Sequence, residues 1–256
     1  MPKLSAIGRI FYGIAIAGTG ILTIYANDFP YMLLPPRNFY LPGLAIVTGI
    51  IFIIAGGSFV FGIKARQVGV LFGVLLLLIF CFYFVPYQFL VSPNYMHLGD
   101  WENAEKELAL AGGSLTVAAC LTGENDNSVI RFFGKLIPLG AILFGFTILS
   151  FGILHFMFTK EASTLVPVWI PFPIFWTYVG GVGLLGSGIA IVLKIKTGLI
   201  ATLMGTMILI WFVILHIPRA VVAPSTDIFG ETISAFLALA YSGTAFMIAG
   251  MARRAN

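Results

Sequence analysis

Two histidines, an arginine and a glutamate are the residues of this chain that could do chemistry in otherwise apolar surroundings. His155 stands near the end of one apolar run (GAILFGFTILSFGILHFMF) and His216 near the end of another (TLMGTMILIWFVILHIPR). Arg219 follows His216 by three residues, and Glu231 opens the last apolar run. At 1.5 Å per residue from the inner ends of their runs, both imidazoles lie at roughly 25–30 Å depth, close to one membrane interface. Ionisable side chains within such runs are expensive and face a cavity or another polar group. One reading is a half-buried external pocket. In it His155 and His216 hydrogen-bond a polar head group, Arg219 stabilises negative charge, Glu231 orients Arg219, and Trp169 and Trp176 flank the site. The other reading places these groups at headgroup level, bonding to water and lipid phosphate, with the tryptophans as an ordinary interfacial belt. Both stay open on sequence alone.

Other chemistries find less support. Two histidines could ligate a haem, but no attachment motif accompanies them, so haem is not expected. No metal-ligand set, Ser–His–Asp arrangement or carboxylate pair stands out. Cys81 and Cys120 lie in apolar runs without a Cys-x-x-Cys pair and read as small packing residues. His97 falls in a polar loop and reads as solvated or loop-packed. The glycines of 49–57 and 180–188 read as close-packing positions in helices.

The elements that must position these residues follow from composition. The chain has 256 residues, 59% of them hydrophobic and 9% charged, with a mean hydropathy of +1.03. A soluble domain carries roughly 25% charged residues, so the solvent here is the bilayer. Hydrocarbon cannot satisfy backbone amides, and runs of about 20 apolar residues without period-two alternation indicate helices. Eight spans are expected, near 6–25, 40–63, 67–90, 106–122, 132–158, 172–194, 197–217 and 232–251, the fourth and eighth the least emphatic. The first run follows the N-terminus directly, without a small-residue cleavage site, and reads as a span.

Charge sets the expected orientation. Ten of the 14 lysines and arginines fall in loops and termini on one side, while eight of the ten acids fall on the other. Both termini are therefore expected to be cytoplasmic, in a multi-pass inner (cytoplasmic) membrane protein. The basic residues are spread over short loops and make no nucleic-acid patch.

The chain also resembles itself. Without a gap, residues 13–86 align on 145–218 with 18 identities in 74 positions. These include Gly13/Gly145, Gly20/Gly152, Gly56/Gly188, Lys64/Lys196, Gly73/Gly205 and Pro86/Pro218. The expected architecture is an all-α polytopic membrane protein of eight transmembrane helices, arranged as two parallel-repeat four-helix bundles. The first repeat would span 1–122, a cytoplasmic linker 123–131 and the second repeat 132–256. Thr23, Phe84 and Tyr87 stand in the first copy where the second has His155, His216 and Arg219.

The pattern G-x-x-H-F, then L-V-P-x-W-I-P, then a glycine-rich helix (Gly152 to Gly188) resembles the DoxX-like four-helix membrane proteins, as does WENAEKELALAGG (Trp101 to Gly113). The resemblance covers each half, as a tandem double unit where the family usually has one. It implies compact four-helix bundles and an association with quinone-linked redox systems, the chain acting as an accessory subunit of a quinone-linked oxidoreductase. The expected function is a membrane subunit with an external-side pocket for a quinone- or isoprenoid-like lipid, in a larger assembly with other membrane proteins. The rival is a non-catalytic structural subunit that anchors partner proteins. A transporter is the third reading, weakened because no charged residue is expected at mid-bilayer.

Overall fold

The computed structural model describes residues 2–34, 43–92, 101–123, 126–224 and 229–253. All regular structure among them is helical. Helices α1 (Pro2–Ala26) and α2 (Leu44–Phe61) are followed by α3 (Ala65–Ile79), which runs through a π-helical turn, Phe80–Phe84, into a last α-helical stretch, Val85–Leu90. Helix α4 covers Glu102–Ala119. A short helix, Ser128–Phe133, and a 3-10 segment, Gly134–Leu139, lead into α5 (Gly140–Met157). Helix α6 is Pro173–Val192. Helix α7 (Thr197–Trp211) passes through a second π-helical turn, Phe212–His216, into Ile217–Val222, and α8 is Glu231–Ala252.

Among the described residues, seven helices are long and apolar enough to cross a membrane, so the chain is a multi-pass all-α membrane protein. Eight were expected. The expected fourth span does fold as α4, but it carries Glu102, Glu105, Lys106 and Glu107 in its first turns and falls outside that set.

Packing explains this exception. Helix α4 lies against α3, α5 and α8, and α8 also packs against α1 and α7. These two helices occupy the centre: in α8, 89% of the most apolar stretch is buried, against 28–44% in the six other spanning candidates. A helix enclosed by protein needs no lipid-facing apolar surface, so both central helices are rich in Ala, Gly, Ser and Thr. The peripheral helices show isoleucines, leucines and phenylalanines outward, such as Ile54, Leu78, Phe82 and Ile210.

Glycines set the closest helix approaches. A Cβ on Gly112 of α4 would stand 2.7 Å from the carbonyl oxygen of Gly140 in α5, and one on Gly243 of α8 would stand 2.5 Å from that of Gly8 in α1. No side chain fits there, which is why small residues fill such crossings in membranes. Buried hydroxyls cross-link the same seams: Ser114 donates to the Gly69 carbonyl at 3.0 Å and Ser242 to that of Gly205 at 2.9 Å.

Candidate functional site

A cavity of about 840 Å³ opens among α5, α6, α7, α8 and the start of α4. Each helix offers it one face. On α8 the face is Ser234, Leu237, Ala238 and Tyr241, spaced i, i+3, i+4, i+7. Seven residues at 1.5 Å each make the cavity about 10 Å deep along α8. Its walls are mostly apolar and aromatic, with Phe151, Leu184, Trp176 and Trp211 among them, and the segment after α5 adds Ala162, Thr164, Leu165 and Val166.

His155 and His216 line this one cavity, as does Trp176. His155 is the last-turn basic residue of α5. Its Nδ1 lies 2.8 Å from the carbonyl oxygen of Phe151. A carbonyl only accepts, so Nδ1 is the donor in this contact, which leaves Nε2 as the nitrogen turned away from its own helix. That nitrogen faces α6 where Gly180 leaves room: a Cβ there would be 3.7 Å away. At Gly181 the imagined Cβ stands 3.0 Å from that of His155. The glycine-rich face of α6 is thus what lets α5 bring its histidine in.

His216 is placed by the π-helical turn. There the Ile217 amide reaches back five residues to the Phe212 carbonyl, and Pro218, which has no amide, follows at once. Its Nδ1 is buried and has no hydrogen-bond partner among the described residues. The Tyr241 hydroxyl, at the deep end, is also buried and unpartnered. Its ring is held between Phe144 and Phe151, each with a centroid separation of 6.0 Å.

Arg219 and Glu231 are brought together, but beside the cavity, outside its lining. Arg219 Nε donates to Glu231 Oε2 at 2.9 Å, and Nη2 donates to Oε1, making a two-point ion pair. It ties the segment after the π turn to the first residue of α8. Trp169 is 69% exposed and does not line the cavity. His97 lies outside the described residues.

Sequence reasoning missed the contribution of α4. Glu102 and Lys106, an i,i+4 ion pair at 2.7 Å, line the cavity from the first half of the chain. Next to them Ser150 of α5 donates to Glu105 Oε1 at 2.7 Å, and Thr147 donates to the Glu105 carbonyl at 3.1 Å. The i,i+3,i+4 spacing of Glu102, Glu105 and Lys106 was the available signal, but these residues, at or just before the start of the expected 106–122 span, entered only the charge balance between the two sides. Tyr241 gave none, as it sits in an unbroken run of small residues.

No group of three or more His, Cys, Asp or Glu side chains that could hold a metal ion occurs among the described residues. No family model matches the chain, and neither a curated protein nor a solved structure does.

Proposed function

We propose that this protein holds one hydrophobic, polar-headed molecule, a quinone- or isoprenoid-like lipid, in the cavity among α5–α8, and serves as a membrane subunit of a larger, redox-linked assembly. The observation that carries the reading is that His155 and His216, the latter with Nδ1 unpartnered among the described residues, line one apolar cavity of about 840 Å³. Ligand sites are apolar clefts of roughly 300–1,000 Å³ with a few convergent polar groups. Here the two imidazoles bind the carbonyl or hydroxyl head, and Trp176, Phe151 and Leu184 take the ring or chain. Arg219, engaged with Glu231, acts by fixing the π turn that presents His216.

The topology belongs to the same proposal. Helix α4 is an eighth span, with Glu107 buried within the bundle and Glu102 exposed at its start, and both termini are cytoplasmic in an inner membrane. The two halves are parallel repeats of DoxX-like type. Supporting this, the π turns begin at Phe80 and Phe212, 132 residues apart (212 − 80). Lys64 and Lys196, also 132 apart, both hold left-handed conformations, at φ 50° and 41°.

Extraction of the purified protein, followed by mass spectrometry and an absorption spectrum, tests the reading. A stoichiometric quinone or isoprenoid that is lost in His155→Ala supports it. Bulk phospholipid alone in both samples replaces it with the second reading, a structural subunit that anchors partners. The exposed outer-side cluster of Val168, Trp169 and Phe172 favours that second reading.

A further inference from the structure

Glu107 is fully buried, at 0% exposure, and neither carboxyl oxygen has a hydrogen-bond partner among the described residues. Its place follows from the helix contacts. Gly73 of α3 approaches Ala111 and Leu115 of α4, and Gly69 approaches Ser114 and Ala118. One further turn along this antiparallel pair brings Glu107 level with Leu77, just before the π turn Phe80–Phe84, which itself packs on α4. The glycine crossings add a second measure. Glu107 lies five residues before Gly112, which meets Gly140, and Ala238 lies five before Gly243, which meets Gly8. Ala238 lines the cavity of the second half. Glu107 thus holds, in the first half, the register of a cavity-lining position.

Among the described residues, no cation pairs with it. Arg9 donates to the Phe59 carbonyl, and Arg66 is tied to Asp126 and to the carbonyls of Ala118 and Leu121 at the far end of α4. On its own helix, Lys106 is paired with Glu102, and Glu105 takes the Ser150 hydroxyl. The other ionisable groups on adjoining elements are Tyr12, whose hydroxyl is given to the Leu110 carbonyl, Cys81 and Tyr83 in the π turn, Lys135 before α5, His155 on α5, and Tyr241 and Glu231 on α8. An isolated carboxylate without counter-charge is too costly to bury and takes a proton instead.

We propose that Glu107 is a proton-binding site inside the first half of the chain: a neutral carboxylic acid set against the π turn of α3, separate from the lipid cavity. Releasing the proton leaves a buried charge with no counter-charge among the described residues, so exchange with water requires the packing at Phe80–Phe84 to open. A π turn, with its widened and weakened hydrogen-bond ladder, is a suitable place for that opening.

Infrared difference spectroscopy of the full chain in lipid, wild type minus Glu107→Gln, tests this at neutral pH. The expected result is a single protonated-carboxyl C=O band that shifts in heavy water. A pair of carboxylate stretches in its place overturns the proposal. If Glu107→Gln does not fold, labelling of the wild type with dicyclohexylcarbodiimide decides. In that reaction the acid's proton passes to one carbodiimide nitrogen and the carboxyl oxygen bonds the central carbon. One C=N becomes a single bond and nothing leaves. A Glu107 peptide heavier by one carbodiimide supports the site, and labelling confined to exposed acids such as Glu102 and Glu161 overturns it.

Discussion

Arg219 grips Glu231 with two of its guanidinium nitrogens, and the pair bridges the end of the α7 segment to the first residue of α8. Three residues before Arg219, His216 faces the cavity with Nδ1 unpartnered. The ion pair therefore tethers to α8 the segment that follows His216. Arg219→Ala should lower stability only modestly, by about 1 kcal/mol, because the pair is partly exposed. It should weaken retention of the proposed lipid ligand to a larger degree. Thermal unfolding in detergent and lipid extraction check this together. Exchanging the charges, Arg219→Glu with Glu231→Arg, should recover most of the stability.

Tyr241→Phe removes a buried hydroxyl that has no hydrogen-bond partner among the described residues. An unmade buried hydrogen bond costs about 1–3 kcal/mol, so the ligand-free variant should unfold at the same temperature as wild type or higher. Ligand occupancy should fall if the phenol reaches the polar group at the cavity floor. Unfolding curves with and without extracted lipid separate the two effects.

Ser150→Ala leaves Glu105 without its side-chain donor at the α4–α5 contact. A loss of about 1–3 kcal/mol is expected. A Ser150→Thr change keeps the donor and should recover part of it. Denaturant titration of the two variants in one detergent measures the difference.

The glycines of α6 should divide sharply. At Gly181 an added Cβ stands 3.0 Å from His155 Cβ, whereas at Gly186 nothing lies within 4 Å. Gly181→Val should cost about 1–3 kcal/mol by overpacking and displace His155. Gly186→Ala should be neutral or stabilising by roughly 0.5–1 kcal/mol. Paired melting curves decide.

Much of this was legible in the residues. The helix limits fall within a few residues of those expected for most spans, because twenty-residue apolar runs bounded by Pro, Lys and Asn leave little choice. His155 and His216 do line one cavity, and Arg219 does meet Glu231. The centre of the molecule was the hard part. In a bilayer, hydropathy reports contact with lipid, so the two most enclosed helices, α4 and α8, read as the weakest spans. The same rule hid Glu107, which fell at the start of the expected 106–122 span, was counted only among the outer-side acids and is wholly buried, and Tyr241 within its run rich in small residues. Trp169 was grouped with the site as part of the proline- and tryptophan-rich turn, but it faces outward there.

Native mass spectrometry of the wild type beside Ala238→Phe tests the central claim most directly. Ala238 is 5% exposed and lines the cavity, so a phenyl ring there fills the space without touching either histidine's chemistry. The expected result is one adduct of constant mass on most wild-type molecules, absent from a variant whose helical circular dichroism is unchanged. The same adduct profile on both proteins would contradict a ligand bound among α5–α8.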